Sequence, residues 1–526
     1  MEEVALTFKH EGELDWKRRR HWKILLLLLA FAFALRLFLV ISPEVIHNDG
    51  TEYVRHAKQV ALGNWSGGKS PPLYPLLIAG VQVITRDYEI AGIWVSVIFG
   101  ALLVLPIFYL GRAIFNETVG ILSALFAAVH PFLYMSAGSV LTESTYHFLL
   151  ATSVLFGWYA FAKAEFSRIL LFSFFTTLAY LTRPEAIGLP IVFSAWTLLM
   201  DPPNRERHLA KRIGIVLIVG ISFFIFSFPY LYQIRRDTGR WGISKKTTIS
   251  IGSLSEEEQA PSLETLRRKK GMTLSSLIKH PLPVLGKIGT GILGSLYKFQ
   301  QAYNPLLFFL AVVGWVLLFK RQNVYPWKGN VFLLAHLIFY FGFVFPFFFI
   351  TKRYTSQMVS ISIPWAAFGF LESTEWLHRR WGKGVPLKKF SIFLLVLVLA
   401  GLFIQGRVIH SRELRIIRKE AGLWMKDHLP RGVKIMSRLP QEAFYAELPW
   451  IRIPEENYEK ILKVARSHGV KYLVIDDDID KNSPGFWKNL KEEDLILLKD
   501  LKREDQRMAV FEVVYLQGNK RENGEK

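Results

Sequence analysis

Ionisable residues gather at the ends of apolar blocks in this chain. Asp49 and Glu52 stand in "HNDGTEYVRHAK", Lys69 precedes a Pro-Pro pair, and Glu143 lies in "LTESTY". Arg183 and Glu185 flank Pro184, and Lys352 and Arg353 open "TKRYTS". Carboxylates of this kind can take or orient a proton, and cations can stabilise charge growing on a phosphate. Polar groups near the ends of an apolar helical bundle are costly, so they pair or serve function. Facing groups of both signs suit a cleft for a charged substrate.

Each residue also has a plainer reading. Asp49 can cap a helix that continues through Tyr53, Ala57 and Val60. Glu143 can be a first-turn acid favoured by the helix dipole. Arg183 and Glu185 can pair across the Pro184 turn. Arg353 can snorkel to an interface with Tyr354 as aromatic belt. His47 reads as a loop residue rather than a metal ligand. The triplet Asp476–Asp478 resembles a sugar-nucleotide metal motif, but no Gly-rich loop accompanies it, and a solvated strand end is the simpler reading.

The elements that position these residues follow from length and charge. The chain has 526 residues, 51% of them hydrophobic, with 41 Phe and 15 Trp. The apolar residues are bunched in long blocks, as in a polytopic membrane protein. The net charge of +21 is concentrated between the blocks, with no basic stripe interleaved with aromatics, so nucleic acid is set aside. Cysteine is absent, which excludes disulfides, thiolate metal sites and a cysteine nucleophile. The block "ILLLLLAFAFALRLFLVI" lacks a small-residue cleavage site and reads as a retained helix.

Lys17, Arg18, Arg19, Arg20 and Lys23 place the N-terminus on the cytoplasmic side, and "NRERHLAKR" and "HRRWGKGVPLKK" belong there too. Spans are expected at roughly 24–42, 90–110, 119–137, 145–162, 169–182, 186–200, 213–233, 297–319, 331–350, 356–371 and 390–409, about eleven in all. "PPLYPLLIAGVQVIT" (71–85) is read as an interfacial or re-entrant helix with Pro-Pro at its start. The alternative is that it spans and the 181–190 region is only a kink. The acids and bases named above then fall on one, extracytoplasmic, face, as do a long loop at 234–296 and the C-terminus.

The architecture expected is mainly α: a membrane domain over 1–410 and a small extracytoplasmic α/β domain over 411–526. In the latter, "GVKIMS", "KYLVIDDD", "LILLKDL" and "AVFEVVYL" read as strands. "IRKEAGLWMKDHLP" and "PEENYEKILKVARSHG" read as amphipathic helices. The tail "QGNKRENGEK" reads as frayed.

The motifs, taken in order and on one side, resemble the C-type integral-membrane glycosyltransferases of the family 39 and aminoarabinose-transferase kind. The likeness rests on "NDGTEYVRHAKQVALG", "KSPPLYPLL", "VLTESTYHFLL", "LTRPEAIGLP" and "TKRYTSQMVSISIP", followed by "EAGLWMKDHLPRGVKIM…GVKYLVID". It covers most of the membrane part. Such enzymes move a sugar from a polyprenyl phosphate to an acceptor outside the membrane, usually with inversion. The resemblance implies Asp49 as the catalytic acid of the first loop and Glu143 as the second acid. It implies Lys69 and Arg353 on the lipid phosphate. Tyr53, Tyr74, Arg183, Glu185 and Tyr354 are further candidates for substrate binding. A divalent metal ion is a possible cofactor, with no ligands assigned.

Two departures stand out. Gly50 occupies the place where the family often has a second acid, which weakens a paired-carboxylate metal site. Ser70 separates Lys69 from Pro71, so a base from "GRWGISKK" is an alternative phosphate contact. The Trp-Trp-Asp motif of oligosaccharyltransferases is absent, so transfer of a single sugar is expected. The partners implied are a lipid-linked sugar, the membrane, and a protein, lipid or glycan acceptor. A prokaryotic cell membrane is the expected setting, and the Lys/Glu-rich, Cys-free composition points to a thermophilic archaeon. The competing readings are a transporter or flippase of lipid-linked sugar, which should show inverted repeats and broken helices, and a glycan polymerase or ligase using the 234–296 loop.

Overall fold

The structure is a computed structural model that describes residues 14–40, 45–65, 68–203, 206–245, 281–320, 327–347, 351–382, 384–413, 416–483, 485–503 and 506–515. Contacts divide the chain into two units. One comprises Met1–Ser42 and Tyr53–Ser411, the other Pro43–Glu52 and Arg412–Lys526. The short segment around Asp49 thus groups with the C-terminal residues, which the division at 410 did not foresee.

The first unit is helical. Its helices are α1 (Leu14–Val40), α2 (Asn48–Ala61, which begins in the other unit), α3 (Leu73–Thr85), α4 (Tyr88–Leu102), α5 (Val104–Ile114) and α6 (Glu117–Val129). There follow α7 (Pro131–Met135), α8 (Glu143–Lys163), α9 (Phe166–Tyr180), α10 (Gly188–Leu199) and α11 (Leu209–Thr238). Last come α12 (Pro281–Tyr303), α13 (Pro305–Lys320), α14 (Trp327–Phe339), α15 (Lys352–Trp381) and α16 (Leu387–Glu413). Asp87 and Asn116 cap α4 and α6, accepting from Ile90 N–H (2.8 Å) and Val119 N–H (3.0 Å).

Among the described residues, four helices are single spans by length and apolarity: Tyr88–Ile114, Leu209–Thr238, Trp327–Val344 and Leu387–Gly406. Two bent pairs bring the number to as many as six. The chain is therefore a multi-pass membrane protein, though this criterion does not return the eleven spans expected. Short helices account for part of the difference: α9 has 15 residues and α10 has 12, below the ~20 that a bilayer asks of an upright helix, whereas α1, α8 and α15, at 27, 21 and 30 residues, are long enough. The segment 71–85 yields a helix of 13 residues.

Two expected spans are broken. That at 119–137 bends by 58° at His130, and that at 297–319 by 109° at Asn304. Asn304 takes φ 75° and its Oδ1 accepts from the N–H groups of Leu306 (2.8 Å) and Leu307 (3.2 Å), starting α13 afresh. His130 Nε2–H donates to the Tyr303 carbonyl at 2.9 Å, so each break satisfies a polar group of the other. The long loop expected at 234–296 is shorter: α11 runs on to Thr238 and α12 begins at Pro281.

Close helix approach depends on two glycines. A Cβ on Gly369 would lie 1.9 Å from the Leu310 carbonyl oxygen, and one on Gly314 would lie 2.1 Å from that of Trp365. Small residues let α13 and α15 cross backbone to backbone, the usual device between helices in lipid. Fully buried Arg36 of α1 donates to the carbonyls of Ala128 (3.0 Å) and Ala127 (3.3 Å) at the C-terminal, negative end of α6.

At one end of this unit, basic residues tie the helices. Arg207 donates to the Phe161 carbonyl (3.0 Å), Lys328 to that of Pro202 (3.5 Å), and Arg212 pairs with Asp201. The Arg207 N–H and the Arg212 guanidinium hold the Asp201 carboxyl below its usual range.

The second unit contains α17 (Ile416–His428), β1 (Lys434–Ser437), α18 (Gln441–Ala446), β2 (Trp450–Arg452), α19 (Tyr458–Ser467), β3 (Val470–Asp476), α20 (Ile479–Asn482), β4 (Leu495–Arg503) and β5 (Gln506–Val513). The sheet order is β2-β1-β3-β5-β4. β1 pairs in parallel with β2 and β3, and β5 pairs antiparallel with β3 and β4, in registers such as Met436↔Leu473 and Leu473↔Phe511. β2, α18 and α20 are too short to carry a periodic signal, and the sequence reading lacks them. Asp476–Asp478 is not a solvated strand end. Asp476 is buried between Arg418 and Arg438, Asp478 accepts from Arg438 (2.8 Å), and Asp477 accepts from the Arg507 N–H. Burial pushes the nearby Glu442 carboxyl up, against the opposing pull of Arg418.

Candidate functional site

Polar groups concentrate in the first unit where the turn before α8, the turn after α9 and the start of α15 meet. Glu143 opens α8 and is only 2% exposed. Its Oε1 accepts from Arg353 Nε (2.8 Å) and Nη2 (2.7 Å) and from Arg183 Nη1 (3.3 Å). Arg183 also pairs with Glu185 through Nε (2.6 Å), across the Pro184 turn. Its guanidinium lies over the rings of Tyr354 (4.8 Å) and Tyr146 (5.5 Å). Tyr340 Oη donates to the Glu185 carbonyl at 3.0 Å and meets Tyr146 Oη at 3.5 Å. One carboxylate thus orients two arginines, and aromatic faces fix one of them.

Helix spacing accounts for the convergence. Glu143 and His147 stand at i and i+4 on α8, and Arg353 and Ser356 at i and i+3 on α15, so each pair shares a face. The faces meet twice, at the ion pairs and at a 3.2 Å contact between Ser356 Oγ and His147 Nε2. The sequence reading missed His147 and Ser356, although the i+4 spacing from Glu143 was a usable signal. Tyr146 and Tyr340 left no such mark, because their partners lie on other helices.

Of the residues singled out from sequence, the structure brings together Glu143, Arg183, Glu185, Arg353 and Tyr354. Tyr53 packs edge-on against Tyr74, with centroids 5.3 Å apart. Tyr74 is fully buried, and its hydroxyl donates to the Gly92 carbonyl (3.1 Å) and meets Ser96 Oγ (3.0 Å). It therefore joins α3 to α4, which leaves its side chain no exposed edge for a substrate. The Leu73 N–H donates to the Leu181 carbonyl at 3.0 Å, bringing the start of α3 to the strand of chain that leads into Arg183.

Lys69 is exposed at the end of a braced loop. His56 Nδ1 meets Ser70 Oγ (3.1 Å), and Gln233 Nε2 donates to the Trp65 carbonyl (2.5 Å). Lys245 of "GRWGISKK" is buried, pairs with Asp237 (2.5 Å) and donates to the Gly68 carbonyl (3.3 Å). It supports the loop that carries Lys69 and does not replace that lysine at a surface. Lys246 lies outside the described residues.

Asp49 and Glu52 belong to the second unit. Asp49 lies in the first turn of α2, with its side chain 51% exposed, and its Oδ2 is 3.8 Å from His47 Nδ1. Among the described residues no group of three or more His, Cys, Asp or Glu is arranged to hold a metal ion. The donor set does not fit the divalent metal held open from sequence, and no chemical step is derived through one.

Comparison with known proteins agrees with this architecture. Residues 69–232 match the model of the dolichyl-phosphate-mannose-protein mannosyltransferase family. No curated protein matches. The fold is similar to that of the oligosaccharyltransferase of Archaeoglobus fulgidus in complex with zinc and sulfate. The TM-score is 0.61 at 13% identity, over 87% of this chain and 68% of that one. The oligosaccharyltransferase AglB from the same organism, with an inhibitory peptide and a dolichol-phosphate, gives 0.60 at 13% identity, over 89% and 70%. ArnT from Cupriavidus metallidurans bound to undecaprenyl phosphate gives 0.57 at 12% identity, over 93% and 98%. The fold is that of the C-type integral-membrane glycosyltransferases.

Proposed function

We propose that this chain transfers a single sugar from a polyprenyl phosphate, dolichyl or undecaprenyl, to an acceptor at the extracytoplasmic face of a prokaryotic cell membrane, with inversion. The observation that carries the reading is the Arg183–Glu143–Arg353 assembly: two cations held by one buried carboxylate, Arg353 remaining 30% exposed. Arg353, Arg183 and Lys69 take the donor phosphate. Charge grows on that phosphate as the anomeric C–O bond breaks, and fixed cations stabilise it most in the transition state.

The acceptor oxygen attacks the anomeric carbon from the face opposite the phosphate. The electron pair of the broken bond leaves with the lipid phosphate, and the acceptor proton passes to the Asp49 carboxylate. Glu143 is assigned to orienting the arginines and not to proton transfer, since its Oε1 already accepts from both. The eleven-span topology, with these groups outside, belongs to the same proposal.

The two broken helices are a feature expected of transporters. Here His130 and Asn304 are engaged with protein backbone and the neighbouring helix, which favours a structural origin of the bends. The 234–296 segment on which a ligase reading leans lies largely outside the described residues.

Membranes containing the protein, incubated with labelled polyprenyl-phosphate sugars, test the function directly. Transfer of label to an acceptor is expected, with Arg353→Ala weakening donor binding at least tenfold and Asp49→Asn abolishing transfer while donor binding persists. Label that crosses the membrane still attached to its lipid, without transfer, would replace the enzyme reading by transport.

A further inference from the structure

We propose that Tyr445 fixes the backbone turn that presents Asp49, so that a residue of the C-terminal segment positions the acid of the transfer reaction. The inference rests on the reading of Asp49 as the acid of a sugar transferase. Its first support is the grouping of Pro43–Glu52 with Arg412–Lys526. The second is a single buried contact: the Ile46 N–H donates to Tyr445 Oη at 2.8 Å, across 399 positions of sequence. Ile46 is 3% exposed and Tyr445 7%.

Tyr445 is itself well held. It stands on α18, packed so close to α17 that a Cβ on Gly422 would lie 2.5 Å from Tyr445 Cβ. Lys419 Nζ lies 5.0 Å from the ring centroid. The phenol oxygen is therefore a fixed acceptor, and a buried backbone N–H needs one.

Immediately after Ile46 the helix begins. The His47 carbonyl accepts from the Thr51 N–H (3.2 Å), His47 Nδ1 faces the Asp49 N–H (3.2 Å), and Thr51 Oγ1 donates to the Asn48 carbonyl (2.8 Å). Anchoring Ile46 sets where α2 starts and which way its first turn points. Asp49 stands in that turn with its side chain half exposed. A buried anchor followed at once by an accessible acid is the arrangement a reacting group needs: rigid backbone, reachable carboxylate. Tyr445 is thus a positioning residue acting through Ile46.

The test is Tyr445→Phe in the full-length protein, which keeps the ring and its packing and removes only the acceptor. The kcat for sugar transfer should fall about tenfold or more while donor binding is unchanged. Full activity of Asp49→Asn would remove the acid reading itself. An inactive Asp49→Asn beside a Tyr445→Phe protein of unaltered turnover would overturn this inference alone, as would a Tyr445→Phe protein that loses donor binding at unaltered kcat. Should Tyr445→Phe fail to fold, hydrogen exchange of the unaltered protein reads the same point. The Ile46 amide should exchange as slowly as the β3 amides, and exchange at loop rates overturns the anchor.

Discussion

Glu143 is the residue on which the candidate site turns, and its chemistry is that of a counter-ion. It is buried, and its Oε1 receives both Arg183 and Arg353. Glu143→Gln keeps an oxygen that can accept, yet removes the buried charge that Arg183 and Arg353 share, with Glu185 still on Arg183. Removing one member of a buried ion pair costs roughly 3–5 kcal/mol. The variant should lose thermal stability by that order, followed by tryptophan fluorescence in detergent, together with transfer activity. A protein of native stability that is merely slow would instead return Glu143 to the role of acid. Arg353→Lys should be milder on folding, because that side chain is 30% exposed, but should weaken donor binding, since an ammonium cannot reproduce the guanidinium fork. The clustered residues were legible because charge at the ends of apolar blocks is rare, and the basic loops assign those ends to one side. Tyr74 was not legible in the same way. A tyrosine in an apolar helix looks alike whether its hydroxyl meets a substrate or, as here, Gly92 and Ser96.

At the scale of elements, the crossing of α13 and α15 is the tightest constraint behind the site, because α15 carries Arg353 in its first turn and continues through Gly369. Gly369→Ala would drive a methyl into the Leu310 carbonyl, and Gly314→Ala into that of Trp365. Neither obstacle is a flexible side chain, so the helices must separate. Overpacking of this kind costs about 1–3 kcal/mol or more. Each variant should lower the unfolding midpoint, and Gly369→Ala should also weaken donor binding by shifting the start of α15. Gly214→Ala, with nothing within 4 Å, serves as the silent control. The sequence marked most helices through apolar length alone. It did not mark the bends at His130 and Asn304, because local capping there and a hydrogen bond between the two breaks replace the lost backbone partners without interrupting the apolar run. The strands β1, β3, β4 and β5 were readable from alternation and β-branched content. The three-residue β2 was not.

For the whole molecule the open quantity is which end faces out, and the absence of cysteine makes it measurable. Within the first unit the Arg207–Phe161 and Lys328–Pro202 bonds gather basic residues at the cytoplasmic end of the proposed topology. The Leu73–Leu181 bond and the Glu143 ion pairs lie at the ends of helices that the parity of the basic loops puts outside. Asn64 and His208 are both exposed, one just before the Lys69 loop and the other just before α11. Asn64→Cys should react in intact cells with a charged maleimide that does not cross the membrane, and His208→Cys only after permeabilisation. Three helices carry the weight of that outcome. If α3 crossed the membrane, the parity of every later segment would reverse unless α9 and α10 together made one crossing instead of two, and a 13-residue helix is short for the task. Labelling of both cysteines from the same side would therefore remove an odd number of crossings between residues 64 and 208. Were α3 the source of the change, Arg183 and Glu143 would lie away from an external acceptor, against the proposed direction of transfer.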